Sequence, residues 1–542
     1  MLAPRERKLQ EGMKVRLFTQ YDDRVPEFYT SYRCNTDSIK EALEAEVPYW
    51  HYCNAVFIDA PPGKGKTSFV YEVLIPMAVQ MGKNIVICAN RVALSIQMKQ
   101  DVMELTDSPL QGRLTDKGIR DTDIFGNVAV VSYHRLNNFL ENTANEAWLK
   151  NVMFVVADEC HYFTADSSFN AFTGYHLRLI SKYFARAVRI FMTATSWDVL
   201  QPLADVEKGI SYLAERISGR LPNRTIYRYW WLQDYTHVDL RFFENLEGIK
   251  GMITQSSEKT LVFVDSRERG REFADELGNR AIYLDADSKG SKAMTQLLKN
   301  QTFDKQVLVT TKVLDCGINI WDDKLRNVVV MTDDRTSLIQ MLGRKRRKFG
   351  ERVNLYVCDM SPKLITKRYR DAQELLAAQV RYQEGSEEEH RRMAREFWHN
   401  QDPRYRGYFS LTDNHGILPN KVAFWALEKK DYFYRKLLNR ELTFRDAVCG
   451  WLGKSVESEE VPTDELTAFC EAHLGQELTG EETVTVRRLV VKAAEANGFT
   501  EPQPTRVGTL GPEALNNRLT KIESSFRFEK KRWVIIKAGE LC

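Results

Sequence analysis

Lys66 and Thr67 close the stretch Ala60-Pro-Pro-Gly-Lys-Gly-Lys66-Thr67, between an apolar run at 55–58 and a helical pattern from Ser68. That order reads as buried strand, glycine-rich turn and helix. Gly63 and Gly65 let backbone N–H groups curl round an anion, and the helix N-terminus adds a positive dipole end. In such a phosphate-binding loop Lys64 belongs to the cradle, Lys66 reaches the β- and γ-phosphates, and the Thr67 hydroxyl holds Mg²⁺. A second group, Asp158-Glu159-Cys160-His161, follows the apolar run 154–157. A carboxylate at a strand's C-terminal end lies on the sheet edge that carries the phosphate loop. Asp158 is then the metal ligand, and Glu159 the base that orients and deprotonates a water.

These groups need a scaffold of parallel strands. Apolar runs at 55–58, 85–88, 128–131, 152–157 and 189–192 alternate with helical patterns. Runs apolar on both faces suit a parallel sheet covered by helices. The alternation resumes at 261–264, 282–284, 307–309, 328–331 and 353–357. The spacing predicts an N-terminal extension at 1–50, an α/β domain at 51–204 and a linker at 205–225. A second α/β domain follows at 226–362, then a mostly helical region at 363–542. In that last region helices are predicted at 363–382, 485–496 and 512–523, with a hairpin at 408–411 and 417–418. The end, 526–536, reads as two strands with a basic turn. Helix, helix and hairpin suit a winged-helix-like module, with Lys530, Lys531 and Arg532 on phosphates and Trp533 stacked on a base. The plainer reading is an accessory domain with Trp533 in its core.

Composition narrows the field. The chain has 542 residues and a formal net charge of +3, so any basic footprint must be local. Nine cysteines are scattered with no C-x-x-C pair. That argues against structural zinc and suits reduced thiols in the cytoplasm. No apolar run is long enough to span a bilayer.

Further motifs follow in order. Ala89-Asn-Arg-Val-Ala-Leu94 comes after the second run and Ser132-Tyr-His-Arg-Leu136 after the third. Thr193-Ala194-Thr195 ends the fifth. Leu261-Val-Phe-Val-Asp-Ser266, Val309 to Ile320 and Gln340-Met-Leu-Gly-Arg-Lys-Arg-Arg347 lie in the second series. The ordered set, over roughly residues 55–360, resembles the superfamily 2 helicases, the group that includes the DEAD- and DEAH-box proteins. Asp-Glu-Cys-His is a variant of their second motif.

The resemblance implies two tandem RecA-like domains with ATP and Mg²⁺ in the cleft between them. It implies that Glu159, His161, Gln340, Arg344 and Arg347 serve catalysis. Gly63, Lys64, Gly65, Lys66, Thr67 and Gly317 would bind nucleotide, and Thr67 and Asp158 the metal. Arg91, Ser132 and Thr311 would contact nucleic acid, DNA being taken ahead of RNA. Thr193, Ala194 and Thr195 would couple the two sites. Lys345, Arg346 and Lys348 are expected as surface or nucleic-acid contacts. The implied activity is ATP-dependent movement along or unwinding of a strand. Remodelling without strand separation and a scaffold that has lost hydrolysis are the alternatives. No adenine-reading glutamine motif precedes Ala60, Gln20 being a candidate only by residue type. Asn319 stands where DEAD-box proteins carry Asp.

Overall fold

The computed structural model describes residues 9–11, 29–50, 54–106, 108–218, 226–288, 291–312, 319–348, 350–399, 403–411, 416–454, 466, 469–470, 472–496, 510–521, 524, 526–529 and 532–537. The chain divides into two compact units, Met1–Gly453 and Lys454–Cys542.

The first unit holds two sheets. One contains β1 (Leu9–Glu11), β2 (Tyr29–Cys34), β3 (Ala55–Asp59), β4 (Asn84–Ala89), β5 (Ile124–Phe125), β6 (Val128–Ser132), β7 (Val152–Ala157), β8 (Val188–Thr193) and β9 (Ile226–Trp231). Their order is β1-β2-β9-β3-β8-β7-β4-β6-β5, with antiparallel pairing only at the outer pairs β1–β2 and β5–β6. Every residue of β3, β4, β6 and β8 is buried. Val56 and Ile58 face one core while Ala55 and Phe57 face the other, as expected of a sheet covered on both sides.

The second sheet is wholly parallel. It comprises β10 (Val238–Phe243), β11 (Lys259–Phe263), β12 (Ala281–Leu284), β13 (Val307–Thr310), β14 (Leu325–Val330) and β15 (Val353–Cys358), in the order β10-β15-β14-β11-β13-β12. The two sheets carry the tandem α/β domains that the strand pattern predicts.

The predicted boundaries shift in three places. Residues 226–231, expected to open the second domain, form β9 of the first sheet between β2 and β3. Their aromatic run supplies buried Tyr229, Trp230 and Trp231, of which Tyr229 and Trp231 join the core that holds Val56 and Ile58. The predicted linker holds a helix instead, Leu200–Ser218, and the chain leaves the first lobe only after Trp231. Part of the expected N-terminal extension belongs to the first lobe, since β2 joins its sheet and Ile39 and Leu43 enter its core.

The helical region also divides. Helices Pro362–Glu384, Glu387–His399, Lys421–Leu438 and Phe444–Trp451 belong to the first unit, with the predicted hairpin as β16 (Phe409–Leu411) and β17 (Ile417–Pro419). Tyr434, Leu437, Phe444, Val448 and Trp451 share one core with Val328, Leu338 and Leu355 of the second lobe. Val422, at the other end of the same long helix, packs in the first lobe.

The second unit has helices Gly480–Ala496 and Pro512–Lys521 and the antiparallel pair β18 (Phe526–Phe528) and β19 (Ile535–Lys537). Trp533 packs on its core, with the Arg487 guanidinium 4.4 Å from the ring. This matches the plainer reading, and Lys530 and Lys531 lie outside the described residues. Among the described residues no helix is long and apolar enough to cross a membrane.

Candidate functional site

β3 ends at Asp59, and the loop from Ala60 turns into a helix at Lys66. Gly63 and Gly65 have φ of +88° and +78°, a left-handed backbone that side-chain-bearing residues rarely adopt. The loop's root is held by the Ala60 N–H donating to Thr193 O over 3.0 Å. Lys66 Nζ donates back to Ala60 O at 2.9 Å, so its ammonium lies over the loop. Lys64 faces elsewhere: its Nζ donates to Thr36 O at 3.1 Å, pinning the N-terminal segment.

β7 delivers Asp158 and Glu159 to the same edge. Glu159 has φ +47°, an uncommon conformation of the kind found at functional sites. Its Oε2 lies 3.2 Å from His161 Nδ1, which in turn lies 3.2 Å from Thr193 Oγ1. Thr193 Oγ1 accepts from the Thr195 N–H at 3.0 Å. A buried chain of polar contacts thus runs from the acidic motif into Thr193-Ala194-Thr195.

Charge is sorted between the two carboxylates. Burial, and then the charge of Glu159, push the Asp158 carboxyl upward, while Lys66 opposes. Burial would raise Glu159 too, but the His161 hydrogen bond and charge, with Lys66 and Arg344, hold it low. Glu159 is thus ionised, the state in which a base must start, although the cations that hold it low also weaken it as a base. Burial raises the Cys160 thiol far above its ordinary value, which removes it as a nucleophile.

The second lobe contributes the helix Arg335–Leu342 and the turn after it. Asp334 caps the helix by accepting from the Ser337 N–H at 2.7 Å. Arg344 Nη2 donates to Gln340 Oε1 at 2.9 Å and Nε to Gln340 O at 3.1 Å, so Gln340 orients the guanidinium. A Cβ on Gly343 would come 3.5 Å from Pro62 Cγ and 3.2 Å from Ile339 O. The tighter of the two contacts is with the helix's own backbone, and the one with the phosphate loop is ordinary van der Waals contact. One cavity of about 200 Å³ is lined by Thr67, Asp158, Glu159 and His161 of the first lobe and Asn319, Gln340, Arg344 and Arg346 of the second.

The basic run does not point one way. Arg346, expected at the surface, lines this cavity, with Nε donating to Asn319 Oδ1 at 2.8 Å. Lys345, also expected at the surface, is buried against Asp322 O at 2.9 Å and Glu351 Oε1 at 2.8 Å. Lys348 is exposed and paired with Asp323 at 2.6 Å. Arg347 lies in a neighbouring cavity of about 690 Å³, beside Pro61, Pro62, Gly63, Asp234 and Trp321. No spacing rule distinguishes these four side chains. What separates them is the partners that Asn319, Asp322 and Glu351 bring from elsewhere in the chain.

Arg91, Ser132 and Thr311 lie at or just beyond the C-terminal ends of β4, β6 and β13. Arg91 is held by Asp166 through contacts of 3.0 and 3.4 Å, and Ser132 is buried. β4 and β6 are neighbours with Ala89 opposite Ser132, while Thr311 lies on the second lobe, and Gly317 lies outside the described residues. No cluster of three or more His, Cys, Asp or Glu able to hold a metal occurs among the described residues. One hydroxyl and one carboxylate in a shared cavity suit Mg²⁺, which keeps waters and takes phosphate oxygens rather than a full protein cage.

Comparison with known proteins matches the two lobes separately. Residues 33–197 fit the family described as type III restriction enzyme, res subunit, and residues 244–348 fit the helicase conserved C-terminal domain. No curated protein matches the chain. Among solved structures, Mss116p bound to ssRNA and AMP-PNP is 14% identical with a TM-score of 0.43, over 68% of this chain and 86% of that one. The DUF1998 helicase MrfA bound to DNA is 16% identical with a TM-score of 0.43, over 59% and 48%. S. cerevisiae Dbp5 bound to RNA and ADP BeF3 is 16% identical with a TM-score of 0.40, over 58% and 82%. These likenesses are too loose to carry a substrate across. Each lobe thus carries a helicase-family domain, and in this the chain is similar to the superfamily 2 helicases that its ordered motifs resemble.

Proposed function

We propose that the protein hydrolyses ATP with Mg²⁺ between its two α/β lobes and uses the turnover to move along or unwind a nucleic-acid strand. The observation that carries this reading is the single cavity in which Thr67, Asp158 and Glu159 of one lobe face Gln340, Arg344 and Arg346 of the other. Thr67 and Asp158 would hold the metal, which neutralises phosphate oxygens when bound. Lys66 leaves Ala60 O to meet the β- and γ-phosphates. Glu159 takes the proton of the attacking water, and His161 fixes its orientation. Arg344 faces the charge that develops on the transferred phosphoryl group. Arginines and carboxylates arrive from different lobes, so hydrolysis depends on how the lobes meet.

The contacts from His161 to Thr193 and Thr195 supply the link to strand binding. DNA is the first choice of strand, since the first-lobe match is to a restriction-enzyme subunit. ATPase turnover should be measured without polymer and with single- and double-stranded DNA and RNA, at stated salt because phosphate contacts weaken with ionic strength. Single strand is expected to stimulate turnover, and strand displacement then separates unwinding from movement alone. Glu159→Gln should bind Mg-ATP and lose roughly 10²-fold or more in turnover, the scale of general-base catalysis. A wild-type protein that binds strand yet never hydrolyses ATP would leave only a binding scaffold.

A further inference from the structure

Below the phosphate loop lies a buried ionic knot that the chemistry above does not use. Asp59, the last residue of β3, accepts from Arg228 Nη2 at 2.7 Å and from Ser196 Oγ at 2.6 Å. All three residues are buried, at 7%, 2% and 5% exposure. They come from three parts of the chain that meet here. Asp59 directly precedes Ala60. Ser196 directly follows Thr193-Ala194-Thr195. Arg228 sits in β9, paired beside β3 with Phe57 opposite Arg228 and Asp59 opposite Trp230.

β9 is also the last element before the chain crosses to the second lobe. Just beyond it, Gln233 Nε2 donates to Ala194 O, and Tyr235 OH donates to Gln233 Oε1. The crossing segment is therefore hooked twice onto the same loop, once through Asp59 and once directly.

A buried ion pair is a weak device for stability, since apolar residues of similar volume often do as well. Its strength is fixing geometry. Here one carboxylate oxygen is shared by the lobe connection, through Arg228, and by the threonine loop, through Ser196. Any shift of either piece is felt at the residue that roots the phosphate loop.

Resting on the proposed function, we infer that Asp59, Ser196 and Arg228 are positioning residues that set the phosphate loop according to where the lobe connection and the threonine loop lie. None of them lines the nucleotide cavity. Their role is to let strand binding change the rate of hydrolysis.

The test is ATPase kinetics of Ser196→Ala, Arg228→Met and Arg228→Lys, with and without saturating single strand, alongside thermal melting. Ser196→Ala deletes one hydroxyl and should fold. It should keep the unstimulated KM for ATP, while the fold-stimulation by strand drops about fivefold or more, the low end of site-to-site coupling. Arg228→Met should lose stimulation further, and Arg228→Lys should recover part of it, because an ammonium still donates to Asp59. A purely structural knot would lower the melting temperature and leave the stimulation ratio at the wild-type value in every folded variant. That result overturns the inference and leaves the proposed ATPase standing. A wild-type protein whose turnover never responds to strand overturns both.

Discussion

Two cavities flank the phosphate loop, and both draw on the run Gly343 to Lys348. The smaller is closed by groups that already have partners: Gln340 holds Arg344, Asn319 holds Arg346 and His161 holds Glu159. The larger, beside Pro61, Pro62 and Gly63, takes Arg347 and Lys348. Arg347 is exposed and makes no hydrogen bond or ion pair among the described residues. A charge held by neighbours costs no reorganisation when negative charge develops in front of it, whereas a solvated one must first be ordered. The comparison favours Arg344 as the main transition-state charge. The motif register assigns both arginines to catalysis and singles out Arg347 as the charge facing ATP, whereas it is Arg344 that lines the cavity with Glu159.

The largest expected effect follows directly. Arg344→Ala should lower kcat roughly 10³-fold while leaving ATP affinity nearly intact, as for a guanidinium that acts on the transition state. Arg344→Lys should recover little, because an ammonium lacks the planar fork that Gln340 orients. If Arg344→Ala keeps near-wild-type turnover, the smaller cavity is not where hydrolysis occurs.

Lys345→Ala tests the same run from the side of stability. It takes one charged partner from half-buried Glu351, which keeps Arg326 and the Lys348 N–H, a loss on the order of 1–3 kcal/mol for a hydrogen bond to a charged group. Urea unfolding should show this as a lower midpoint, with kcat per folded molecule unchanged. An unaltered midpoint would mean that Glu351 is satisfied by Arg326, which reaches it at 2.9 Å.

Arg347→Ala should cost roughly tenfold in kcat/KM, the worth of one contact of about 1.4 kcal/mol. A loss as deep as that of Arg344→Ala would show that lobe closure carries Arg347 into the smaller cavity, and would erase the distinction drawn here. Lys348→Ala is the smallest. Its ion pair with Asp323 is exposed on both sides, so neither turnover nor melting should change measurably.

Much of the molecule was legible before any coordinates. The ten apolar runs became strands because residues such as Val56, Phe57 and Ile58 are apolar toward both faces, and only a covered parallel sheet buries both. The missed strands were those with mixed composition. Ile226 to Trp231 has its aromatic run broken by Arg228, and Tyr29 to Cys34 carries Arg33, so neither shows an unbroken aliphatic run. Arg228 is compatible with a buried strand only because Asp59, far off in sequence, neutralises it. The same blindness placed the whole helical region outside the motor. Nothing local in Tyr434, Leu437 or Trp451 says that their core is shared with the second sheet.

The sequence by itself determined the chemistry on offer: a glycine turn that frees backbone N–H groups, a lysine and a hydroxyl after it, two carboxylates at a strand end and a glutamine four residues before an arginine. Those are short-range facts, fixed by spacing along a strand or helix. Tertiary structure alone decided which charges meet. It put Arg344 and Arg346 against Glu159, buried Lys345, left Arg347 in the adjoining cavity, and hung the phosphate loop from Asp59 and Thr193. Except for Lys345, whose partners Asp322 and Glu351 lie within its own lobe, those outcomes depend on partners more than a hundred residues apart or across the lobes, and electrostatic pairing follows distance in space, to which spacing in the chain is blind.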